Sequence, residues 1–132
     1  MSNTDTVKKV YAMFQKGDVP GILDQCDDKV DWNNQGVTSK DVPWNGNFST
    51  KKSLPGFFKV LAESLDFTKF EPMAFIEQGK SVAVHLRIES KAKKNGKVLA
   101  NDCVHWWTFN DKGKIAKYRH FNDTGAERDV WK

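Results

Sequence analysis

The chain has few of the residues that would commit it to a metal centre, a disulfide framework or a membrane. Only two of its 132 residues are cysteines, Cys26 and Cys103, and no CxxC pair or Cys/His cluster suggests zinc. No run of 18 apolar residues exists, and the amino terminus lacks the apolar core of an export signal. These absences predict a cytoplasmic protein with reduced thiols, no bound metal and no membrane association.

Charge of one sign is also not concentrated anywhere along the chain. The 21 Lys and Arg residues are interleaved with 17 Asp and Glu residues, which leaves a formal net charge of +4. A nucleic-acid-binding surface needs basic side chains grouped along a groove or face. The one dense group of lysines, at 91–97, is typical of a solvated hairpin tip. We therefore expect no nucleic-acid partner.

Aromatic residues, by contrast, are abundant. They make up 12% of the sequence, with five Trp and nine Phe, and this share excludes an intrinsically disordered chain. A chain of 132 residues is expected to form a single domain, residues 1–132, which buries roughly two-thirds of its unfolded surface. Such a domain has enough material for a core and a cavity together.

Apolar residues at helical spacing predict three helices in the first half of the chain. The apolar face of the first consists of Val7, Val10, Tyr11 and Phe14. This helix would be capped by Thr4 or Asp5 and would end at Gly17. Asp18 would cap a short second helix, and Ser53 would cap a third. The segment 34–50 between the second and third helices is predicted to be a long loop, a type that often serves as a lid.

The second half of the chain predicts a β meander and one short closing helix. The strands are expected at 67–77, 82–91, 98–109 and 115–121, after an early short strand at 30–33. Helices followed by a meander indicate an α+β fold. We predict a cone in which one curved antiparallel sheet wraps around three N-terminal helices. A sheet curved in this way leaves a pocket under the helices.

The last hairpin carries the side chains with the most chemistry. Side chains alternate between the two faces of a strand, so His105 and Trp107 share one face, and so do Tyr118 and His120 on the next strand. With a symmetric turn at 110–113, His105 is predicted to lie opposite Tyr118. Two imidazoles, a phenol and an indole suit the lining of a small-molecule pocket. For His105, a structural role in the core is as well supported as a pocket role.

Several short motifs together resemble one known family. They are Gly17-Asp18, Val30-x-Trp32, Pro43-Trp44-x-Gly46, Phe57-Phe58, Phe70-Glu71-Pro72, Asp102-x-x-His105 and Asp123-Thr124. They resemble the SnoaL-like proteins of the nuclear-transport-factor-2-like superfamily, over nearly the whole chain. The resemblance implies the cystatin-like cone fold and a homodimer formed sheet against sheet. It says little about the reaction, because this fold hosts enzymes and non-enzymes alike.

The resemblance also allows catalytic positions to be compared. Ketosteroid isomerase uses a carboxylate base together with a tyrosine and a protonated aspartic acid. These three positions fall here on Asn33, Val10 and His105, so steroid isomerisation is not expected. SnoaL cyclases and limonene epoxide hydrolase place a catalytic aspartate on the last strand, and that position falls on His120. Histidine can still act as a base, with an unperturbed pKa of about 6.5.

A further partial match concerns the hydrolase's Arg-Val-Asp strand, which Arg87 to Glu89 resembles. A symmetric two-residue turn at 95–96 would place Arg87 opposite Val104, on the face away from His105. A β-bulge would reverse that assignment. We leave Arg87 and Glu89 out of the predicted site.

The predicted catalytic residues are His105 and His120, with no metal and no organic cofactor. The predicted ligand-binding residues are Tyr11, Phe14, Trp32, Trp44, Phe58, Trp107 and Tyr118. The first hypothesis is an isomerase, cyclase or hydratase that acts on a small, partly apolar or aromatic carbonyl compound by histidine acid–base chemistry. The second is a non-catalytic module that binds a ligand in the same pocket. The third is a protein-interaction domain that works through its outer sheet face, where Trp106 is expected.

Overall fold

The computed structural model describes residues 2–34, 42–45 and 47–132 of the chain. Its elements in chain order are α1 (Asn3–Lys16), α2 (Val19–Asp24), β1 (Cys26–Asn34), β2 (Asn47–Phe48), a 3-10 turn (Lys51–Ser53), α3 (Leu54–Ser64), β3 (Leu65–Gln78), β4 (Ser81–Ala92), β5 (Val98–Phe109), β6 (Ile115–Phe121) and α4 (Thr124–Trp131). The fold is α+β with a curved, unclosed sheet, as predicted. No helix in these three ranges is long and apolar enough to cross a bilayer.

The strands of the described residues form one sheet in the order β2-β1-β6-β5-β4-β3. Neighbouring strands are antiparallel except β1 and β6, which run parallel with Trp32 in register with Tyr118. A parallel pair requires a long crossover connection, and here the crossover comprises α3 and the whole β3–β5 meander. The predicted antiparallel sheet therefore contains one parallel pair, and this pair places the early strand β1 between β2 and β6.

The helices pack on the inner face of the sheet because β4 and β5 alternate strictly between buried and exposed positions. The inward side chains of β4 are Val82, Val84, Leu86, Ile88, Ser90 and Ala92. Those of β5 are Leu99, Asn101, Cys103, His105, Trp107 and Phe109. Val7, Val10 and Tyr11 of α1 pack into the same core. Burial of each large apolar side chain stabilises the fold by about 1.5–3 kcal/mol.

Helix α1 begins two residues earlier than the sequence pattern indicated. Its N-cap is Ser2, not Thr4 or Asp5, because Ser2 Oγ accepts from the Asp5 backbone N–H at 3.1 Å. The Asp5 carboxylate accepts in return from the Ser2 backbone N–H, which completes a capping box. The helix ends at Gly17 as predicted, with φ of 73°, a left-handed conformation that glycine adopts without strain.

The predicted register of the last hairpin is wrong, although the predicted face is right. His105 lies opposite His120, and Trp107 lies opposite Tyr118. A β-bulge between Thr108 and Phe109 adds a residue on one strand and moves the pairing. The net displacement is an even number of residues, so the same four side chains still share the inner face.

The hairpin between β4 and β5 shows the same kind of error. Arg87 lies opposite Asp102, not opposite Val104, because the turn is longer than two residues and Lys91 pairs with Val98. The displacement is again even, so Arg87 lies on the outer face, where its guanidinium is 3.6 Å from the Asp102 carboxylate. Glu89 shares that face, and the decision to leave both residues out of the inner site is confirmed.

Candidate functional site

The inner face of the sheet and the helices enclose a cavity of about 90 Å³. Its lining includes all nine predicted site residues: Tyr11, Phe14, Trp32, Trp44, Phe58, His105, Trp107, Tyr118 and His120. A volume of this size has room for several water molecules or a small organic molecule. Ligand pockets typically measure about 300–1,000 Å³. A larger ligand therefore requires wall side chains to move.

A chain of three hydrogen-bonded side chains crosses the cavity wall from β5 to α1 and back. The indole Nε1–H of Trp107 donates to the Tyr11 hydroxyl oxygen at 3.2 Å. The same hydroxyl lies 2.8 Å from His105 Nδ1. Because an indole can only donate, the Tyr11 oxygen accepts from Trp107, and its proton is free to go to His105.

Among the described residues, the hydrogen bonds of the Tyr11 hydroxyl are those to Trp107 and His105, and donation to His105 Nδ1 is the arrangement that uses its proton. This arrangement favours one tautomer of His105, in which the neutral imidazole carries its own proton on Nε2. His105 Nε2 is buried and has no hydrogen-bond partner among the described residues. In the favoured tautomer the side chain presents an unpaired N–H donor in an apolar cavity. An N–H donor fixed in this way is suited to a developing oxyanion.

His120 lies beside His105, with ring centroids 4.7 Å apart in an edge-to-face arrangement. Burial lowers the pKa of His120 from 6.5 to about 4. Burial also lowers the pKa of His105 well below 6.5, and the charge that His120 would carry lowers it further. Both imidazoles are therefore neutral at pH 7, and His120 Nε2, like that of His105, has no partner in the described part of the chain.

Aromatic rings form most of the remaining wall. Trp32 of β1 stacks on Tyr118 of β6 with ring centroids 4.1 Å apart, a contact that the parallel strand pairing produces. Trp32 also meets Phe58 of α3 edge to face at 5.7 Å. Phe14 of α1 packs against the same Phe58 at 6.3 Å. These rings suit a flat apolar ligand, because aromatic pairs favour stacked and edge-to-face geometries.

Trp44 closes the cavity from the loop that follows β1. It is 3% exposed and packs edge to face against Trp131 of α4, with ring centroids 5.2 Å apart. The predicted lid spans 34–50, and its positions 35–41 and 46 lie outside the described residues. In the described part of this segment, Asn47–Phe48 form strand β2 and pair with β1, so the prediction of a continuous loop is wrong there. Trp44 lies against the C-terminal helix.

Four polar lining residues were missing from the predicted site: Ser90, Asn101, Asn122 and Glu127. Asn101 shares the inner face of β5 with His105, so strand parity alone was enough to find it. Asn122 and Glu127 come together only because α4 packs back over the cavity, and no pattern in the sequence indicates that contact. Within the described ranges, no group of three His, Cys, Asp or Glu side chains is placed to bind a metal ion.

A cone of curved sheet and helices around one aromatic-lined cavity defines a protein of the nuclear-transport-factor-2-like class. The model of the SnoaL-like domain matches residues 7–118. The chain therefore belongs to the SnoaL-like family. Among curated proteins, none matches the chain.

Solved structures give the same fold over the full length of the chain. An NTF2-like protein of unknown function from Burkholderia pseudomallei K96243 is 24% identical, covers 98% of both chains and has a TM-score of 0.87. An NTF2-like protein from Burkholderia xenovorans LB400 is 22% identical, covers 98% of this chain and 95% of its own, and has a TM-score of 0.88. TerC, co-crystallised with polyporic acid, is 27% identical, covers 98% and 97%, and has a TM-score of 0.83.

The hydrogen-bonded chain predicts a specific cost for removing its central hydroxyl. Tyr11→Phe leaves His105 Nδ1 and Trp107 Nε1 without a partner, and we expect the free energy of unfolding to fall by about 1–3 kcal/mol. Tyr118→Phe removes a hydroxyl from the same cavity but neither of the two hydrogen bonds of this chain, and it serves as the matched control. Urea denaturation measures both, and ¹⁵N NMR of wild type should show the Nε2–H tautomer of His105. An Nδ1–H tautomer would contradict the assigned direction.

The lowered histidine pKa values predict how stability depends on pH. Between about pH 4 and 6.5 the unfolded chain binds more protons at His120 than the folded chain does. The contribution of the neutral histidines to the free energy of unfolding should therefore be fully present above pH 6.5. It should fall as the pH is lowered towards 4, by up to about 1.4 kcal/mol per pH unit for each histidine. In urea denaturation measured at several pH values, His120→Gln should reduce this slope, because one of the two histidines is then absent. His85→Gln, on the exposed outer face, should keep it because His120 is untouched; equal slopes in all three proteins would refute the assignment.

Proposed function

We propose that the protein binds a small, partly apolar carbonyl compound in the cavity and moves a proton on it, as an isomerase, cyclase or hydratase does. The observation that carries this proposal is the unpaired, buried Nε2 of His105, whose ring is held in place through Tyr11 by Trp107. A carbonyl oxygen is the natural acceptor for a neutral donor in an apolar site. The role matches the neutral imidazole that polarises a carbonyl in other isomerases.

His120 completes the proposed step as the proton acceptor. Its Nε2 takes a proton from the carbon next to the carbonyl, the C–H electron pair moves into the new C=C bond, and the carbonyl oxygen becomes an enolate oxygen. The Nε2–H of His105 stabilises that oxygen. Return of the same proton from His120 to another carbon gives the isomer. A base with a pKa of about 4 requires an acidified C–H, so the substrate carbon should be doubly activated or conjugated.

The solved structures support a small-molecule role. TerC covers nearly the whole chain at 27% identity and was co-crystallised with polyporic acid. A protein of the same fold is thus associated with a small organic molecule. No residue role is carried over from it.

The alternative is a cavity that binds a ligand without turnover. Trp32 Nε1 is one more buried donor without a partner among the described residues, so the cavity offers hydrogen bonds that do not depend on the two histidines. In this alternative His105 and His120 only orient the ligand. Turnover separates the two proposals directly.

Exchange of a carbon-bound proton tests the enzymatic proposal without knowledge of the natural substrate. In D₂O, wild type should accelerate deuterium uptake at the methylene of phenylacetone, which both the ring and the carbonyl activate, measured by ¹H NMR. His120→Gln should slow this uptake by about 100-fold or more. His85→Gln is the matched control and should exchange at the wild-type rate. Binding of the ketone without any exchange would contradict the enzymatic proposal and support the non-catalytic alternative.

We also propose that two copies associate through their outer sheet faces. Trp106, Phe121 and Ile76 on that side are 45%, 43% and 67% exposed. Beside Trp106, the Arg119 guanidinium is paired with the Asp31 carboxylate at 2.7 Å. An exposed apolar face with a neighbouring charge neutralised within the chain can meet its own copy across a two-fold axis.

This association predicts a change of mass on substitution of Trp106. Trp106→Glu places a carboxylate on the apolar face and should convert a dimer into a monomer in sedimentation equilibrium. Lys112→Glu, at the turn between β5 and β6, introduces the same side chain outside this face and should leave the dimer intact. A monomeric wild type at high protein concentration would contradict the proposal.

The remaining proposals concern location and cofactors. Cys26 and Cys103 are both buried free thiols, which is in keeping with the reducing cytoplasm that we propose for this protein. The proposed proton transfer needs only the two imidazoles, so we propose that it proceeds without a metal or an organic cofactor.

A further inference from the structure

The cavity has a second polar region that the proposed proton transfer does not use. Asn101 lies four residues before His105 on the inner face of β5, with Cys103 between them. Glu127 of α4 also lines the cavity, and its charge is among the causes that raise the pKa of the Cys103 thiol. We call Asn101 and Glu127 the polar pole of the cavity.

The Glu127 carboxylate is buried and accepts fewer hydrogen bonds than its oxygens allow. Its side chain is 2% exposed, one oxygen accepts from Asn45 Nδ2 at 2.8 Å, and the other accepts from Asn122 Nδ2. A carboxylate offers about four acceptor sites, so two remain. In the described part of the chain, Glu127 has no Lys, Arg or His within ion-pair distance. Such a group is normally kept away from the interior unless something pairs with it.

Asn101 is the complementary half of the pole. It is 7% exposed and lines the same cavity, and its Nδ2 has no acceptor among the described residues. A leucine of similar size would fill this position on the inner face without leaving a donor unpaired. A buried donor with no partner is destabilising, and a ligand group that accepts from it would offset that cost.

We infer that the polar pole binds a hydroxyl group of the ligand, whose carbonyl oxygen lies at His105, so that the substrates are hydroxylated carbonyl compounds. A hydroxyl is the group that fits both residues, because it donates to the Glu127 carboxylate and accepts from Asn101 Nδ2. An ammonium has no acceptor for Asn101, and a second carbonyl has no donor for Glu127. This inference rests on the proposed function, because it places the carbonyl at His105.

Two probe ketones that differ by one hydroxyl test the inference. Acetophenone and 4-hydroxyacetophenone are titrated by calorimetry into wild type, Asn101→Leu and Glu127→Gln. Wild type should bind the hydroxylated ketone at least tenfold more tightly, because a hydrogen bond to a charged group contributes strongly in a buried site. The ratio of the two dissociation constants should fall to near one in both variants. Thermal unfolding checks each fold, and Asn101→Leu should not lower the melting temperature.

The outcomes separate this inference from the proposed function. If wild type binds acetophenone but shows no preference for the hydroxyl, the polar pole is refuted while the carbonyl site stands. A preference that survives in both folded variants also refutes the pole. If wild type binds neither ketone, the proposed function and the inference fail together.

Discussion

The hydrogen-bonded chain from Trp107 through Tyr11 to His105 determines much of what the cavity can do. It connects helix α1 to strand β5. An indole nitrogen can only donate, so the Tyr11 oxygen accepts from Trp107, and donation of the Tyr11 proton to His105 completes the chain. Trp107 therefore acts on His105 through Tyr11, in addition to lining the cavity itself.

Burial gives the site its second constraint. In an apolar cavity the charged form of an imidazole is disfavoured, and two adjacent imidazoles disfavour each other's charge as well. The familiar role of histidine as a switch near neutral pH is thus unavailable here. What remains is a pair of adjacent neutral rings, each with an unpaired Nε2 among the described residues, in surroundings where each hydrogen bond is stronger than it would be in water.

Features of this molecule that depend on local sequence periodicity could be predicted, and features that depend on contacts between distant residues could not. Strand parity has a period of two, so it identified the inner face of the last hairpin even though the pairing of His105 with Tyr118 was wrong. The bulge at Thr108 and Phe109 was not foreseeable, because nothing in those two residues demands it. Parity also places Asn101 on the inner face, although the predicted site did not include it. The position of Glu127 depends on how a short C-terminal helix packs against distant residues, and local sequence carries no record of that.

The parallel pairing of β1 with β6 has a consequence for how the protein is made. Trp32 and Tyr118, which stack across this pair, are separated by most of the chain. Contacts of such long range are entropically expensive to close and slow the folding of a domain. During synthesis β1 is made long before β6, so this strand pair cannot form until almost the whole chain exists. Until then Trp32 lacks its stacking partner Tyr118, and the unpaired edge of β1 is a site where chaperones can bind.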